Sequence, residues 1–106
     1  MAESIRVEGA GPAPGEMLAL QADERYLVVC NVGGAFYALE DRCPHADVKL
    51  STGRLEGTLL ECPFHGGKVD VRDGSPQKQP IRRPATTFPV RQVDGGLEIK
   101  LSASDR

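Results

Sequence analysis

The sequence predicts an all-β fold built from antiparallel strands. No stretch keeps an apolar period of about 3.6 residues over three turns, so helical signals are weak. Twelve glycines and eight prolines divide the chain of 106 residues into short segments. Several segments are rich in β-branched or alternating apolar residues, and turn-forming residues separate them. Together these observations favour short strands joined by tight turns.

Four strands are predicted in the first forty residues. Gly9–Gly15 is rich in turn residues and separates the first two strands, and Gly33-Gly34 is a two-residue hairpin signal between the last two. The strands are Ser4–Val7, Glu16–Gln21, Arg25–Val32 and Ala35–Leu39. Cys30 lies in an apolar run of the third strand, where a free cysteine is expected to be buried as a small hydrophobe.

The middle of the chain predicts shorter elements. They are the strands Thr58–Glu61 and Lys68–Val71, a brief helical turn at Asp47–Ser51, a turn at Asp73-Gly74 and the loop Ser75–Pro84. The loop is predicted because it contains three prolines and no hydrophobic alternation. Asp70 and Arg72 are expected to face solvent rather than to act in a site.

The chain ends in a predicted hairpin. Its strands, Thr87–Val93 and Leu97–Leu101, flank the turn Asp94-Gly95-Gly96. The apolar residues of the last strand alternate and share one face: Leu97, Ile99 and Leu101. Pro89 has no N–H group, so it indicates a sheet edge or a bulge in the first of these strands.

Length and charge limit the classes of protein to which the chain can belong. A chain of 106 residues is expected to form one domain, residues 1–106, as a monomer with a core that needs no disulfide. Thirteen basic and fifteen acidic residues give a net charge of −2, which offers no basic footprint for nucleic acid. Met1-Ala2-Glu3-Ser4 is not a basic segment before an apolar run, so no secretory signal or membrane anchor is expected. A cytoplasmic location is expected instead.

Two segments supply metal ligands in matching pairs. They are Cys43-Pro44-His45 and Cys62-Pro63-Phe64-His65, separated by sixteen residues, and they contain both histidines of the chain. A [2Fe–2S] cluster of the Rieske type needs two thiolates on one iron and two imidazoles on the other. The sequence therefore predicts a [2Fe–2S] cluster whose ligands are Cys43, His45, Cys62 and His65.

This pattern resembles that of the Rieske family, Cys-x-His followed after a spacer by Cys-x-x-His, and Gly66 and the proline in each pair also fit. The resemblance implies that Cys43 and Cys62 bind the buried iron and that His45 and His65 bind the outer iron. It implies a Rieske-like fold, with an antiparallel sandwich or barrel base formed by residues 1–40 and 84–106. Residues 41–83 would form a small inserted subdomain, with a proline-rich third loop over the cluster.

A zinc site is the main alternative, because thiolate and imidazole also suit tetrahedral Zn²⁺. Zinc modules usually pair Cys with Cys and His with His, whereas each segment here carries one of each. A zinc-stabilised interaction module is therefore the weaker interpretation.

The residues around the ligands indicate a low reduction potential. High-potential Rieske subunits carry an additional disulfide where this chain has Val48 and Phe64, and hydroxyl donors to the cluster where it has Gly67 and Val69. We expect a midpoint on the order of −150 mV, at the low end of the Rieske range.

The resemblance extends to the Rieske ferredoxins of bacterial aromatic-ring-hydroxylating dioxygenase systems. It implies a one-electron carrier that accepts electrons from a flavin-dependent NAD(P)H reductase and passes them to a terminal Rieske oxygenase. Catalysis by this chain alone is not expected, because no histidine remains for the mononuclear iron site of an oxygenase. The alternative is a small Rieske subunit of another oxidoreductase, such as a nitrite-reductase-like enzyme. Partner contacts are expected at Asp47, Lys49, Pro63, Phe64 and Lys68.

Overall fold

The computed structural model describes residues 4–101, and its secondary structure confirms the all-β prediction. Eleven strands and one 3-10 helix, Leu50–Thr52, are formed within this range. The strands are β1 (Ser4–Glu8), β2 (Met17–Ala22), β3 (Arg25–Val32), β4 (Ala35–Glu40), β5 (Arg54–Glu56), β6 (Leu59–Glu61), β7 (Lys68–Asp70), β8 (Pro76–Lys78), β9 (Thr87–Phe88), β10 (Val90–Val93) and β11 (Gly96–Lys100). The same range contains no helix with the length and apolar character that a bilayer span requires.

The strands form three antiparallel sheets. The first has the order β1-β11-β10 and the second the order β2-β3-β4-β9, so both combine strands from the beginning and the end of the chain. The third sheet, β5-β6-β7-β8, is built from consecutive strands. The two ligand segments flank β5 and β6 and therefore belong to the part of the chain that contains the third sheet.

Strand β3 separates two hydrophobic clusters. Leu27 and Val29 pack in one cluster with residues of β11, whereas Val28 and Cys30 pack in the other with both candidate ligand cysteines. Successive side chains of a strand point to opposite faces, so a strand buried on both faces needs a continuous apolar run. This explains why residues 27–30 show no alternation. Strand β3 contributes side chains both to the cluster with β11 and to the cluster with the candidate ligand cysteines.

The predicted hairpins are present. Gly33 and Gly34 have φ values of 60° and 98°, and this pair of positive values is what a two-residue turn between twisted strands requires. In the final hairpin, Leu97, Ile99 and Leu101 are all buried, which confirms the predicted apolar face.

Several local predictions need correction. The segment predicted as the loop Ser75–Pro84 contains the edge strand β8, which pairs with β7 and includes Pro76. An edge strand tolerates proline because one side of its backbone needs no partner. Strand β5 was also missed, because its three residues, with a charge at each end, are too few to establish an alternating pattern. The helical turn begins three residues later than predicted, at Leu50.

The predicted strand Thr87–Val93 is divided at Pro89. Its first part, β9, pairs with β4, and its second part, β10, pairs with β11. Proline has no N–H to continue a ladder, so the chain passes from one sheet to the next at this residue.

Asp70 is buried, and the prediction that it faces solvent was wrong; Arg72 is exposed, as expected. The Asp70 carboxylate accepts hydrogen bonds from Arg72 Nε at 3.0 Å and Nη2 at 2.7 Å, and from the Arg72 backbone N–H at 2.9 Å. Chiefly through these side-chain hydrogen bonds, Arg72 lowers the pKa of Asp70. The ion pair stabilises the turn between β7 and β8.

Candidate metal centre

The first ligand loop runs from the end of β4 to the 3-10 helix and is closed by a buried carboxylate. Asp41 accepts hydrogen bonds from the Ser51 backbone N–H at 2.7 Å and from the Ser51 hydroxyl at 2.6 Å. Inside the loop, the Cys43 N–H donates to the Val48 carbonyl at 2.9 Å. These bonds close the loop on both sides of His45 and hold the Cys43 backbone beside the core.

The second ligand loop reverses the chain between β6 and β7. The Cys62 N–H donates to the Gly67 carbonyl at 2.7 Å, and the Phe64 N–H points at the Cys62 sulfur at 3.4 Å. His65 and Gly66 both have positive φ, 72° and 74°, and such a value is uncommon for a residue with a side chain. The reversal therefore presents the His65 side chain from a strained backbone position.

A third segment packs against the second ligand loop. A Cβ atom at Gly67 would lie 2.6 Å from Cγ1 of Ile81, so only glycine fits at this contact. Ile81 is buried in the same cluster as Cys43 and Cys62. The residues around Ile81, which follow β8, therefore close one side of the candidate site, where the resemblance places a third loop.

The two candidate cysteines lie together in the interior. Cys43 is 2% exposed and Cys62 is 1% exposed. Burial, and after it a hydrogen bond with the Cys43 thiol, raise the pKa of the Cys62 thiol to about 11, although the Phe64 N–H opposes both effects. A bound cation reverses this preference, because it ligates the thiolate and releases the proton.

The two candidate histidines lie together at the surface. Their ring centroids are 5.5 Å apart, and both side chains are exposed. The ring of Phe64, which is 49% exposed, lies 4.3 Å from the His65 ring and 6.5 Å from the His45 ring. The structure thus forms a buried thiol pair and an exposed imidazole pair.

This donor set fits a two-iron cluster. No three Cys, His, Asp or Glu side chains of residues 4–101 converge as they would around one metal ion. A cluster with two sulfurs on one iron and two nitrogens on the other needs two separate pairs, which is the arrangement present. Gly67 and Val69 are buried beside the site and carry no hydroxyl, so backbone N–H groups such as that of Phe64 are the donors available to sulfur.

Other predicted residues have varied surroundings. Asp47, Lys49, Pro63 and Phe64 are exposed, whereas Lys68 is half-buried beside Glu56. Cys30 is fully buried, as predicted, and burial raises its pKa to about 12.

The sequence did not indicate that Asp41 and Ile81 support the candidate site. The only signal for Asp41 was a carboxylate directly after a strand, and none distinguished Ile81.

A groove of about 430 Å³ runs along the first ligand loop. One wall includes Arg42, Cys43 and His45, and the other is formed by residues 83–86, including Arg83. The exposed imidazole of His45 therefore shares a concave surface with the end of the third loop.

Comparison with known protein families gives a match to the Rieske [2Fe-2S] domain over residues 7–89. The chain is 46% identical over 79 residues to the biphenyl 2,3-dioxygenase ferredoxin component of Rhodococcus jostii, covering 74% of each chain. It is 36% identical over 86 residues to the anthranilate 1,2-dioxygenase ferredoxin subunit of Burkholderia cepacia, covering 81% of this chain and 80% of that one.

Solved structures give the same result. A chain in the complex of reduced oxygenase and oxidized ferredoxin of carbazole 1,9a-dioxygenase superposes with a TM-score of 0.87 and 35% identity, covering 92% of this chain and 93% of that one. The Sphingomonas yanoikuyae B1 ferredoxin superposes with a TM-score of 0.85 and 34% identity, covering 92% and 97%.

Proposed function

This chain belongs to the Rieske [2Fe-2S] domain family, and from that membership we propose that it is a one-electron carrier of an aromatic-ring dioxygenase system. The resemblance indicated by the two Cys/His segments is confirmed by these relatives. The observation that carries the proposal is the pairing of a buried thiol pair with an exposed imidazole pair. A cluster held this way would be shielded from water at its thiolate ligands and exposed to a partner protein at its imidazole ligands.

In the proposed arrangement, Cys43 and Cys62 ligate one iron and His45 and His65 ligate the other. Residues 41–83 form the cluster-binding unit, and residues 1–40 and 84–106 form the base. When bound, a [2Fe–2S] cluster of this type accepts and returns a single electron. The chain's own contribution is to exclude water from the thiolates and to present the imidazole edges to a partner.

The partners follow from this role. A flavin-dependent NAD(P)H reductase supplies electrons, and a terminal Rieske oxygenase receives them and carries out the substrate chemistry. The chain acts in the cytoplasm as a monomer and needs no nucleic acid or membrane. Transient electron-transfer contacts are small, so the exposed rings of His45, Phe64 and His65 suffice as the centre of the contact.

Substitution of single ligands tests the assignment. Cys43→Ser should leave little or no cluster. His45→Cys should lower the potential if the cluster assembles, because a thiolate adds negative charge to it. The measurements are iron and sulfide content, the visible and paramagnetic-resonance spectra, and voltammetry of the wild-type protein and each variant.

Cys30→Ala is the matched control, because Cys30 is also buried but lies outside the ligand set. It should retain the native spectrum and potential. An unchanged spectrum in Cys43→Ser, or stoichiometric zinc without iron in the wild-type protein, would contradict the assignment. The wild-type midpoint should be on the order of −150 mV, and a clearly positive value would overturn the low-potential hypothesis.

A further inference from the structure

Charge is unevenly distributed along the chain. Residues 41–83 contain eight basic and six acidic side chains, a net charge of +2. The remaining residues contain five basic and nine acidic side chains, a net charge of −4. The overall charge of −2 is therefore the sum of a positive segment, residues 41–83, and a negative remainder.

The carboxylates in the site region are largely engaged. Asp41 is bound to Ser51, and Asp70 is bound to Arg72. Asp47 lies 3.7 Å from Arg42, and Glu56 pairs with Arg54 at 2.7 Å. Asp73 accepts hydrogen bonds from Ser75, and Glu61 is half-buried beside Cys62.

Four cations of residues 41–83 have no such partner. Lys49, Lys78, Arg82 and Arg83 are exposed and make no ion pair with any residue from 4 to 101. Three of them belong to residues 75–84, the third loop, which contains no acidic residue. Lys49, in the first ligand loop, lies over the ring of Tyr26 at 4.1 Å from its centroid. Within residues 41–83, the cations without an ion pair thus lie in the first ligand loop and in residues 75–84.

The third loop is next to the exposed imidazoles. Ile81 packs against Gly67 of the second ligand loop, and Arg82 and Arg83 follow it directly. Arg83 lines the same groove as His45. A protein that approaches the imidazole edge along this groove therefore also meets the guanidinium group of Arg83, and Arg82 precedes it directly in the chain.

We infer that Lys49, Lys78, Arg82 and Arg83 form a basic docking surface for a redox partner whose contact face carries carboxylates. The inference rests on the proposed function, because it assumes that electrons pass through the imidazole edge. Complementary charge around an electron-exchange site steers encounter and orients the partners. The negative base disfavours the opposite orientation, in which the cluster would be far from the partner.

Small redox ions of opposite charge test the sign of the field at the electron-exchange site. The reduced holoprotein is oxidised by the ferricyanide trianion or by the hexaammineruthenium(III) trication at low ionic strength, and the second-order rate constants are compared. In Arg82→Glu/Arg83→Glu, the rate with the anion should fall by about tenfold or more and the rate with the cation should rise. Added salt should reduce both changes.

Arg25→Glu/Lys100→Glu is the matched control. It makes the same change in net charge at exposed positions of β3 and β11, where neither side chain makes an ion pair with a residue from 4 to 101. Equal rate changes in the two double variants would overturn the docking inference, because net charge alone would explain them. Voltammetry of each variant corrects the rates for any difference in driving force. Lys78→Glu against Lys100→Glu repeats the comparison with single substitutions if a double variant fails to fold.

Poly-L-glutamate supplies the carboxylate chemistry of the inferred partner. It should slow oxidation of the wild-type protein by ferricyanide and have little effect on Arg82→Glu/Arg83→Glu. Equal inhibition of both proteins would contradict a surface centred on these arginines. A wild-type protein that exchanges electrons with neither ion would instead refute the proposed function.

Discussion

The two ligand loops hold the same pair of ligand types by different means. In the first loop, a buried side chain closes the structure, because the Asp41 carboxylate binds both the backbone and the hydroxyl of Ser51. In the second loop, the backbone performs this task, through a Cys62 to Gly67 hydrogen bond and two consecutive residues of positive φ. Loops that carry the same pair of candidate ligands thus need not be equally sensitive to substitution.

Loop length explains the difference. The second loop must reverse direction in the few residues between β6 and β7, so it needs backbone conformations that most residues avoid. The first loop has nine residues between β4 and the 3-10 helix, against six in the second loop, and ordinary conformations suffice. A longer loop has more conformational freedom, which a contact between residues far apart in the loop has to restrict. The Asp41 carboxylate makes that contact with Ser51.

The largest expected effect is on the second loop, from Gly67→Ala. The added methyl group would lie 2.6 Å from Cγ1 and 3.2 Å from the backbone nitrogen of Ile81. We expect a loss of about 3 kcal/mol in the free energy of unfolding, because overpacking forces backbone shifts. Urea unfolding and the cluster content of the purified variant measure the effect.

The double variant Gly67→Ala/Ile81→Ala tests this cause. Removing the Ile81 side chain makes room for the methyl group, so the double variant should be more stable than the sum of the single effects predicts. A coupling energy of about 1 kcal/mol or more is expected for residues in contact. Strict additivity would show that the Ile81 contact does not limit residue 67.

The next effect is on the first loop, from Asp41→Asn. The amide oxygen can still accept from the Ser51 N–H, but the amide nitrogen can only donate, so the hydrogen bond with the Ser51 hydroxyl has to reverse and both bonds lose the charge of the carboxylate. We expect a loss of about 2 kcal/mol in unfolding free energy, the scale of a hydrogen bond to a charged group. Urea unfolding measures the loss.

Asp47→Asn is the control within the same loop. Its side chain is 92% exposed, and its nearest cation is 3.7 Å away. Exposed pairs of this kind contribute little, so the change should stay below about 0.5 kcal/mol. Similar losses in the two variants would show that Asp41 acts through general charge and not through its bonds to Ser51.

The ligand segments stand out in the sequence because Cys and His recur in two pairs at fixed spacing, and their role as cluster ligands stays a prediction. The residues that support these segments do not stand out. Asp41 has no local pattern that separates it from other carboxylates after strands, and Ile81 becomes important only when the third loop packs on Gly67. Strand alternation predicts that Asp70 faces solvent. It does not predict that the Arg72 side chain, two residues later, folds back and donates hydrogen bonds to the Asp70 carboxylate.

The same limit applies to the fold. The hairpin at Gly33-Gly34 was predictable because a two-residue turn needs positive φ, which glycine supplies. Strands β5 and β8 have three residues each and exist because neighbouring strands supply hydrogen-bond partners. Such short elements are determined by tertiary pairing, which local propensity does not report.

A smaller effect is expected from Gly66→Ala in the second loop. Gly66 has a φ of 74°, and an added Cβ would meet only the flexible end of the Glu61 side chain, at 3.2 Å. The cost is therefore backbone strain, about 1 kcal/mol. Gly57→Ala is the control, because Gly57 has a φ of 60° and open space around it.

The two glycine variants should lose similar unfolding free energy, measured by urea titration. Only Gly66→Ala should alter the cluster spectrum and potential, because Gly66 follows His65 directly. If Gly57→Ala altered the spectrum equally, positive φ in the second ligand loop would have no special role in presenting that histidine.

The smallest expected effect concerns Asp70, which extends the comparison to a second buried carboxylate. Asp41 binds a neutral serine, whereas Asp70 binds the cation of Arg72, chiefly through side-chain hydrogen bonds that lower the pKa of Asp70. A group whose pKa is lower in the folded state stabilises the fold above its unfolded pKa, about 3.9 for Asp. That contribution is lost as the pH falls through the lowered folded pKa. Between pH 7 and pH 2, the wild-type protein should therefore lose more unfolding free energy than Asp70→Asn does. Parallel pH profiles for the two proteins would mean that Arg72 does not stabilise the turn through the charge of Asp70.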